Sequence, residues 1–198
     1  MMLVATVSSS REIELANAAD LLELRLDLGN FDFLPKLRYI VTCRRKADGG
    51  AYEGSEETRI ERIKIFAEKV NAEFVDIEFD VPDDFLDFKC GIIESYHNFK
   101  ETPSFEFLRD LVESKRGDYY KIATMGKTMD DWKKIVRLLL EFEDIIAFLM
   151  GEEFRFTRIA SALLGSPFIY CYVGLKKAPG QIELNEALKI LKSLGVRK

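Results

Sequence analysis

The chain carries a single histidine and only three cysteines, Cys43, Cys90 and Cys171, which are far apart and odd in number. It has no CxxC and no HExxH, so no metal site is expected. Distant thiols, each in or beside an apolar stretch, read as reduced cysteines filling the core of a cytoplasmic protein. A basic stripe is also missing. With 29 Lys and Arg against 34 Asp and Glu, the net charge is -5, and nucleic acid is not an expected partner. The start, MMLVATVSSSREIE, lacks the basic n-region and long apolar core of a signal peptide. The longest apolar region, IVRLLLEFEDIIAFLMG, is broken by Glu141, Glu143 and Asp144, so no membrane-spanning helix is expected. No GxGxxG follows the first apolar run and no GxSxG occurs, which removes the sequence signals for a dinucleotide fold and a serine-hydrolase elbow. GGAYEG (49–54) lacks the Lys-Ser/Thr pair of a phosphate loop and reads as a mobile loop.

What is present is a repeated unit. Eight short apolar runs occur: LVATVS (3–8), LLELRLD (21–27), YIVTCR (39–44), FVDIEF (74–79), GIIESYH (91–97), YYKIATM (119–125), IIAFLMG (145–151) and FIYCYVG (168–174). Helix-like segments separate most of them. SEETRIERIKIFAEKVNA places Ile60, Ile63, Phe66, Ala67 and Val70 on one helical face, with Ser55 as its cap. TMDDWKKIVRLLLEF and ELNEALKILKSLG repeat the pattern, the last stopping at Gly195. Strands alternating with helices predict parallel pairing through right-handed crossovers. Eight units predict an α/β fold of one domain over residues 1–198, a compact (β/α)8 TIM barrel. The chain is short for that fold, typically about 250 residues. GNFDFLPKLR and VPDDFLDFK therefore leave room for only a turn or two of helix after strands 2 and 4. An open doubly wound sheet is the competing architecture.

Alternation within the strands separates two faces. Leu22, Leu24, Leu26 and Leu28 oppose Glu23, Arg25 and Asp27; Val75, Ile77 and Phe79 oppose Asp76, Glu78 and Asp80. Thr42 and Arg44 share a face, as do Ser95 and His97. An antiparallel sheet with one wet face would show the same alternation, but interleaved helices cover both faces of a parallel sheet. In a barrel the charged face points inward. Glu23, Asp27, Asp76 and Glu78 are then expected to pair with Arg25, Arg44 and Lys121, since buried charges persist only when paired. Lys121 stands mid-strand, where an ammonium is costly to desolvate. His97 ends a strand on the same interior face and is the one side chain that titrates near neutrality unperturbed.

These residues resemble a known family. ELRLD (23–27), TCRRKADGG (42–50), VDIE (75–78), SYHNFKETP (95–103), KIATM (121–125), MGEEFRFTR (150–158), GSPFIY (165–170) and APGQI (178–182) are similar, in order and spacing, to the type I 3-dehydroquinate dehydratases. The resemblance runs over essentially the whole chain. It implies a metal-free barrel enzyme without cofactor, a hydro-lyase of the shikimate pathway that converts 3-dehydroquinate to 3-dehydroshikimate. It implies a Schiff base on Lys121, made nucleophilic by burial among cationic neighbours, with His97 as general base and acid. Arg158 is implied to bind the substrate carboxylate, and Glu23, Arg25, Arg44 and Ser8 other substrate groups. Gln181 belongs to a closing loop, and Asp48 falls where an acidic residue orients the histidine. A cytoplasmic homodimer is also implied. Lys177 stands where the family has serine, a position that still reaches the carboxylate. Phe154, Thr157 and Asn98 also depart from the family pattern.

Two other readings use the same fold. A class I aldolase would also use a strand lysine, but would need a phosphate cradle after strands 7 and 8, and GSPFIYCYVGLKKAPG has no glycine-rich cradle. A non-catalytic barrel that serves as a binding protein would tolerate loss of Lys121 or His97.

Overall fold

The computed structural model describes residues 1–31 and 33–197. Its strands are β1 (Met2–Val7), β2 (Leu21–Arg25), β3 (Tyr39–Thr42), β4 (Phe74–Glu78), β5 (Gly91–Asn98), β6 (Tyr119–Met125), β7 (Ile145–Met150), β8 (Phe168–Tyr172) and β9 (Ile182–Glu183). The helices are α1 (Ser10–Glu14), α2 (Glu56–Val70), α3 (Phe105–Glu113), α4 (Met129–Glu141), α5 (Thr157–Leu163) and α6 (Leu184–Ser193). Each of the eight apolar runs forms a strand. The two-residue β9, pairing beside β8, was not expected from the sequence. β4 is followed by a single 3-10 turn at Asp83–Phe85, as expected, while among the described residues no helix stands between β2 and β3, less than the turn or two expected there.

Local chemistry accounts for the helices. The Ser55 hydroxyl accepts from the Thr58 amide at 3.3 Å and starts α2. Ile60, Ile63 and Ala67 are buried against β3 and β4, each isoleucine contributing about 1.5–3 kcal/mol by leaving water. The Asp131 carboxylate accepts from the Thr128 amide at 3.0 Å, the return bond of a capping box at α4. α6 ends at Ser193 with Leu194 as its C-cap, followed by Gly195 at φ +68°.

All pairings are parallel, in the order β7-β6-β5-β4-β3-β2-β1-β8-β9. The sheet curls into a TIM-barrel-like fold. Phe74 of β4, Tyr119 of β6 and Phe168 of β8 meet in its interior, with ring centroids 5.1–5.8 Å apart. Contact between alternate strands requires the sheet to wrap. Among the described residues β7 and β8 share no ladder, which leaves a seam there. Leu22, Leu24, Val75 and Ile77 face the helices, while Val4, Leu21, Ile40, Ile93 and Phe168 fill the lower interior. The upper interior, toward the strand C-termini, is charged.

Candidate active site

Strand parity places the charged residues. Glu23, Arg25, Arg44, Asp76, Glu78 and Lys121 are each under 8% exposed, and their pairing follows the expected pattern. Asp76 is the hub. Its Oδ1 accepts from Arg44 Nη2 at 2.6 Å and Ser95 Oγ at 2.8 Å, and its Oδ2 accepts from Lys121 Nζ. Arg44 Nη1 also donates to Glu78 at 3.1 Å. Asp27 grips Arg25 through two bonds of 2.9 and 2.7 Å and accepts from the amides of Arg44 and Ala51.

Lys121 lies between β4, β2 and β8. Beside its bond to Asp76, its Nζ is 3.7 Å from Glu23 and 4.6 Å from the ring centre of Tyr170. The family resemblance surrounds this amine with cations, whereas strand alternation pairs it with inward carboxylates. The structure agrees with the second: Asp76 on β4 and Glu23 on β2 are its nearest charges. Burial works against the Asp76 carboxylate, but Arg44 and Lys121 more than reverse this and hold its pKa below the ordinary value. His97, two residues beyond Ser95 on β5, is held well below 6.5, first by burial and then by the charges of Arg44 and Lys121. It is a neutral imidazole, and its Nδ1 has no partner.

Arg158 sits at the seam. Its guanidinium lies 4.2 Å over the Phe148 ring of β7 and donates to the carbonyls of Gly180 (3.0 Å), Pro179 (3.3 Å) and Tyr170 (3.5 Å). None of these partners is an anion, and burial pushes its pKa down to about 10. A buried guanidinium without a carboxylate is a ready site for one.

The loop between β8 and β9 covers the interior. Gln181 Oε1 accepts from the amides of Lys177 (2.8 Å) and Ala178 (3.1 Å), while its Nε2 reaches Thr6 Oγ1 at 3.5 Å. Thr6 in turn donates to Glu23 at 2.7 Å. Gly180, at φ +69°, packs where a Cβ would lie 2.3 Å from the Gly151 carbonyl oxygen. Lys177 Nζ binds Glu12 and the Leu175 carbonyl, so it is occupied within the protein rather than free for a carboxylate.

Beneath this loop lies a cavity of about 50 Å³. Glu23, Arg25, Arg44, Asp48, His97, Lys121, Arg158, Lys177 and Gln181 all line it. Ser8 does not line it, and its hydroxyl donates to Glu12 at 3.0 Å. Asp48 lines the cavity, but its carboxylate accepts from Arg45 at 2.8 Å rather than bonding His97. A wider groove of about 410 Å³ beside α2, lined by Lys64, Glu68 and Lys89, holds no such convergence of buried charge. Segment 49–54 is tied down rather than free: Arg45 bridges Tyr52, and the Ala51 amide donates to Asp27 at 3.0 Å.

Sequence reasoning missed Thr6, Phe148 and Tyr170, although reading β1, β7 and β8 by parity would have turned them inward. It also missed Arg59, which is fully buried, donates to the Cys43 carbonyl at 2.9 Å and sits 2.6 Å from Glu78. Of the departures, Thr157 closes a local turn, donating to the Phe154 carbonyl at 2.8 Å. Asn98 accepts from the Lys100 and Glu101 amides. The thiols are free, two buried and Cys90 half-buried. Among the described residues, no helix is long and apolar enough to cross a membrane.

A family model described as type I 3-dehydroquinase matches residues 3–198. The chain belongs to that family. It is 55% identical over 199 residues to the 3-dehydroquinate dehydratase of Archaeoglobus fulgidus, covering 98% of this chain and 100% of the relative. The crystal structure of 3-dehydroquinate dehydratase from Geobacillus kaustophilus HTA426 superposes with a TM-score of 0.81 at 22% identity, over 98% of this chain and 91% of that one. That of the Aquifex aeolicus VF5 enzyme gives 0.73 at 25% identity, covering 98% of each. Family membership and fold therefore agree with the barrel described above.

Proposed function

We propose that the protein is a 3-dehydroquinate dehydratase that works through an imine on Lys121. The observation that carries this reading is the position of Lys121, 3% exposed at the charged end of the interior and sharing one small cavity with the neutral His97. The Lys121 amine, once it leaves Asp76 and gives up a proton, adds to the ring ketone of the substrate. Loss of water from that adduct forms a protonated imine, which withdraws electrons from the adjacent carbon. His97 takes the proton from that carbon and returns one to the hydroxyl that departs as water. Hydrolysis of the imine releases 3-dehydroshikimate and restores the amine.

The other residues bind and enclose. The Arg158 guanidinium, which pairs with no anion among the described residues, receives the substrate carboxylate. Arg25, Arg44, Glu23 and Gln181 address the hydroxyls. The loop of Ala178–Gln181 excludes water from the imine. The loop lies over this cavity, and its movement admits substrate and releases product. Asp48 lies close enough to line the cavity and bounds the histidine side of it. We read the working unit as a cytoplasmic homodimer, which light scattering of the purified protein tests.

The deciding experiment is borohydride reduction in the presence of 3-dehydroquinate, followed by peptide mass analysis, alongside a turnover assay. An adduct on Lys121 with dehydratase activity is expected. A folded sample with neither adduct nor turnover overturns the reading.

A further inference from the structure

The described interior contains a polar group for which neither the fold nor the reaction above has a use. Tyr170 of β8 is 4% exposed and lines the cavity, and its hydroxyl is buried with no hydrogen-bond partner. The ring itself has a use. Lys121 Nζ rests over its face, 4.6 Å from the centre, and an aromatic face favours a cation there. A phenylalanine would supply the same face without an orphaned donor. An unpaired buried hydroxyl destabilises a fold, so its retention here has to be explained by a state other than the free one.

The surroundings narrow what that state is. The charged groups around the phenol are Lys121, over its ring, and Asp76, Glu23 and Arg44. Neither carboxylate hydrogen-bonds to it. Asp76 is engaged by Arg44, Ser95 and Lys121, and Glu23 by Thr6. Burial keeps the phenol protonated far beyond neutrality, with both carboxylates adding to that, so the group is always a donor. It therefore lacks an acceptor, and the cavity it borders is where an acceptor would arrive.

We propose that Tyr170 is a further substrate-contacting residue, its hydroxyl donating to an oxygen substituent on the carbocycle of the ligand bound at Lys121 while its ring faces the lysine nitrogen. This rests on the reading of the site as one that takes a hydroxylated carbocyclic carboxylate. The hydroxyl is unpaired in the free protein and paired in the complex, so its cost to the fold is recovered as affinity for an oxygenated ring. A ligand without an oxygen at that position gains nothing from it.

The test is Tyr170→Phe, which keeps the ring and removes only the donor, measured beside the wild type. The expected result is a kcat/KM for 3-dehydroquinate lowered about three- to tenfold, the loss of one neutral hydrogen bond. Borohydride trapping on Lys121 should persist, since the ring face is intact. The melting temperature of the free variant should equal or exceed that of the wild type, while the added stabilisation by saturating 3-dehydroshikimate should shrink. Equal kcat/KM with an equal ligand-induced shift overturns the proposal. So does a free variant that melts several degrees lower, since the hydroxyl would then have a structural partner. A wild type that neither turns over 3-dehydroquinate nor is stabilised by the product removes the dehydratase reading, and this one with it.

Discussion

Lys177 and Glu12, 165 residues apart in sequence, meet as an ion pair that fastens the β8–β9 loop to α1. Glu12 also accepts from the Ser8 amide at 2.7 Å and hydroxyl at 3.0 Å. The side chains of the pair are only 4% and 10% exposed, so the pair is not a screened surface contact.

This pair predicts how the loop responds to substitution and to acid. Glu12→Gln removes the charge and strands the Lys177 ammonium, at a cost of about 1–3 kcal/mol. Burial raises the Glu12 pKa, but Lys177 and Ser8 more than offset this and hold it below 4.5. Its contribution to stability is therefore complete above about pH 4.5 and is lost as pH falls through the lowered folded value. Melting temperature against pH should fall more gently on the acid side in Glu12→Gln than in the wild type. Identical slopes would show that the pair carries no stability.

Lys121→Ala should abolish turnover, by at least about three orders of magnitude, without unfolding the protein. Asp76 keeps Arg44 at 2.6 Å and Ser95 at 2.8 Å after the lysine is gone, so no buried carboxylate is left bare. Circular dichroism should be unchanged. Residual activity within tenfold of the wild type would dismiss the imine.

His97→Ala should lower kcat by about 10²–10⁴-fold while leaving borohydride trapping on Lys121 detectable. Because burial first, and Arg44 and Lys121 next, hold this imidazole below 6.5, it remains a base in mildly acid solution. The acid limb of kcat/KM in the wild type should accordingly lie below pH 6.5, and vanish in the variant. An acid limb at or above neutrality would assign the proton transfer elsewhere.

Arg158→Met should raise KM about a hundredfold, with a smaller change in kcat, since a bidentate carboxylate partner is lost. The free protein should tolerate the change, because among the described residues the Arg158 guanidinium bonds carbonyls and stacks on the Phe148 ring, with no carboxylate left bare. Titration with a carboxylate-bearing product analogue checks this. Equal affinity in variant and wild type would move the anion site away from the seam.

The strands and the inward-facing charges were legible because both follow period-two alternation, a purely local property. Glu23 and Arg25, or Asp76 and Glu78, declare their face from their neighbours alone. Which residues then touch depends on how strands stagger across a curled sheet, and that is not local. Alternation groups Lys121 with four carboxylates, but only the fold picks Asp76 as the one that bonds it. Arg59 defeats the helical pattern for a related reason. It lies among Ile60, Ile63 and Ala67 in sequence and reads as a solvated charge, yet it is fully buried and reaches Glu78. Ser8 and Asp48 match the family by sequence, but their hydrogen bonds go to Glu12 and Arg45. A side chain's partner is fixed by tertiary distance, which a motif does not encode.

The aromatic contact of Phe74, Tyr119 and Phe168 does more than fill space. It lies on the side of the charged layer away from the loop and acts there as an insulating slab. On the other side the loop covers Asp76, Arg44 and Lys121, each of which is 3% exposed or less. With little water beside them, these fixed charges act on the reacting ring more strongly than they would in solvent. Three aromatic rings that take no part in the reaction thereby help set the electric field in which the lysine works.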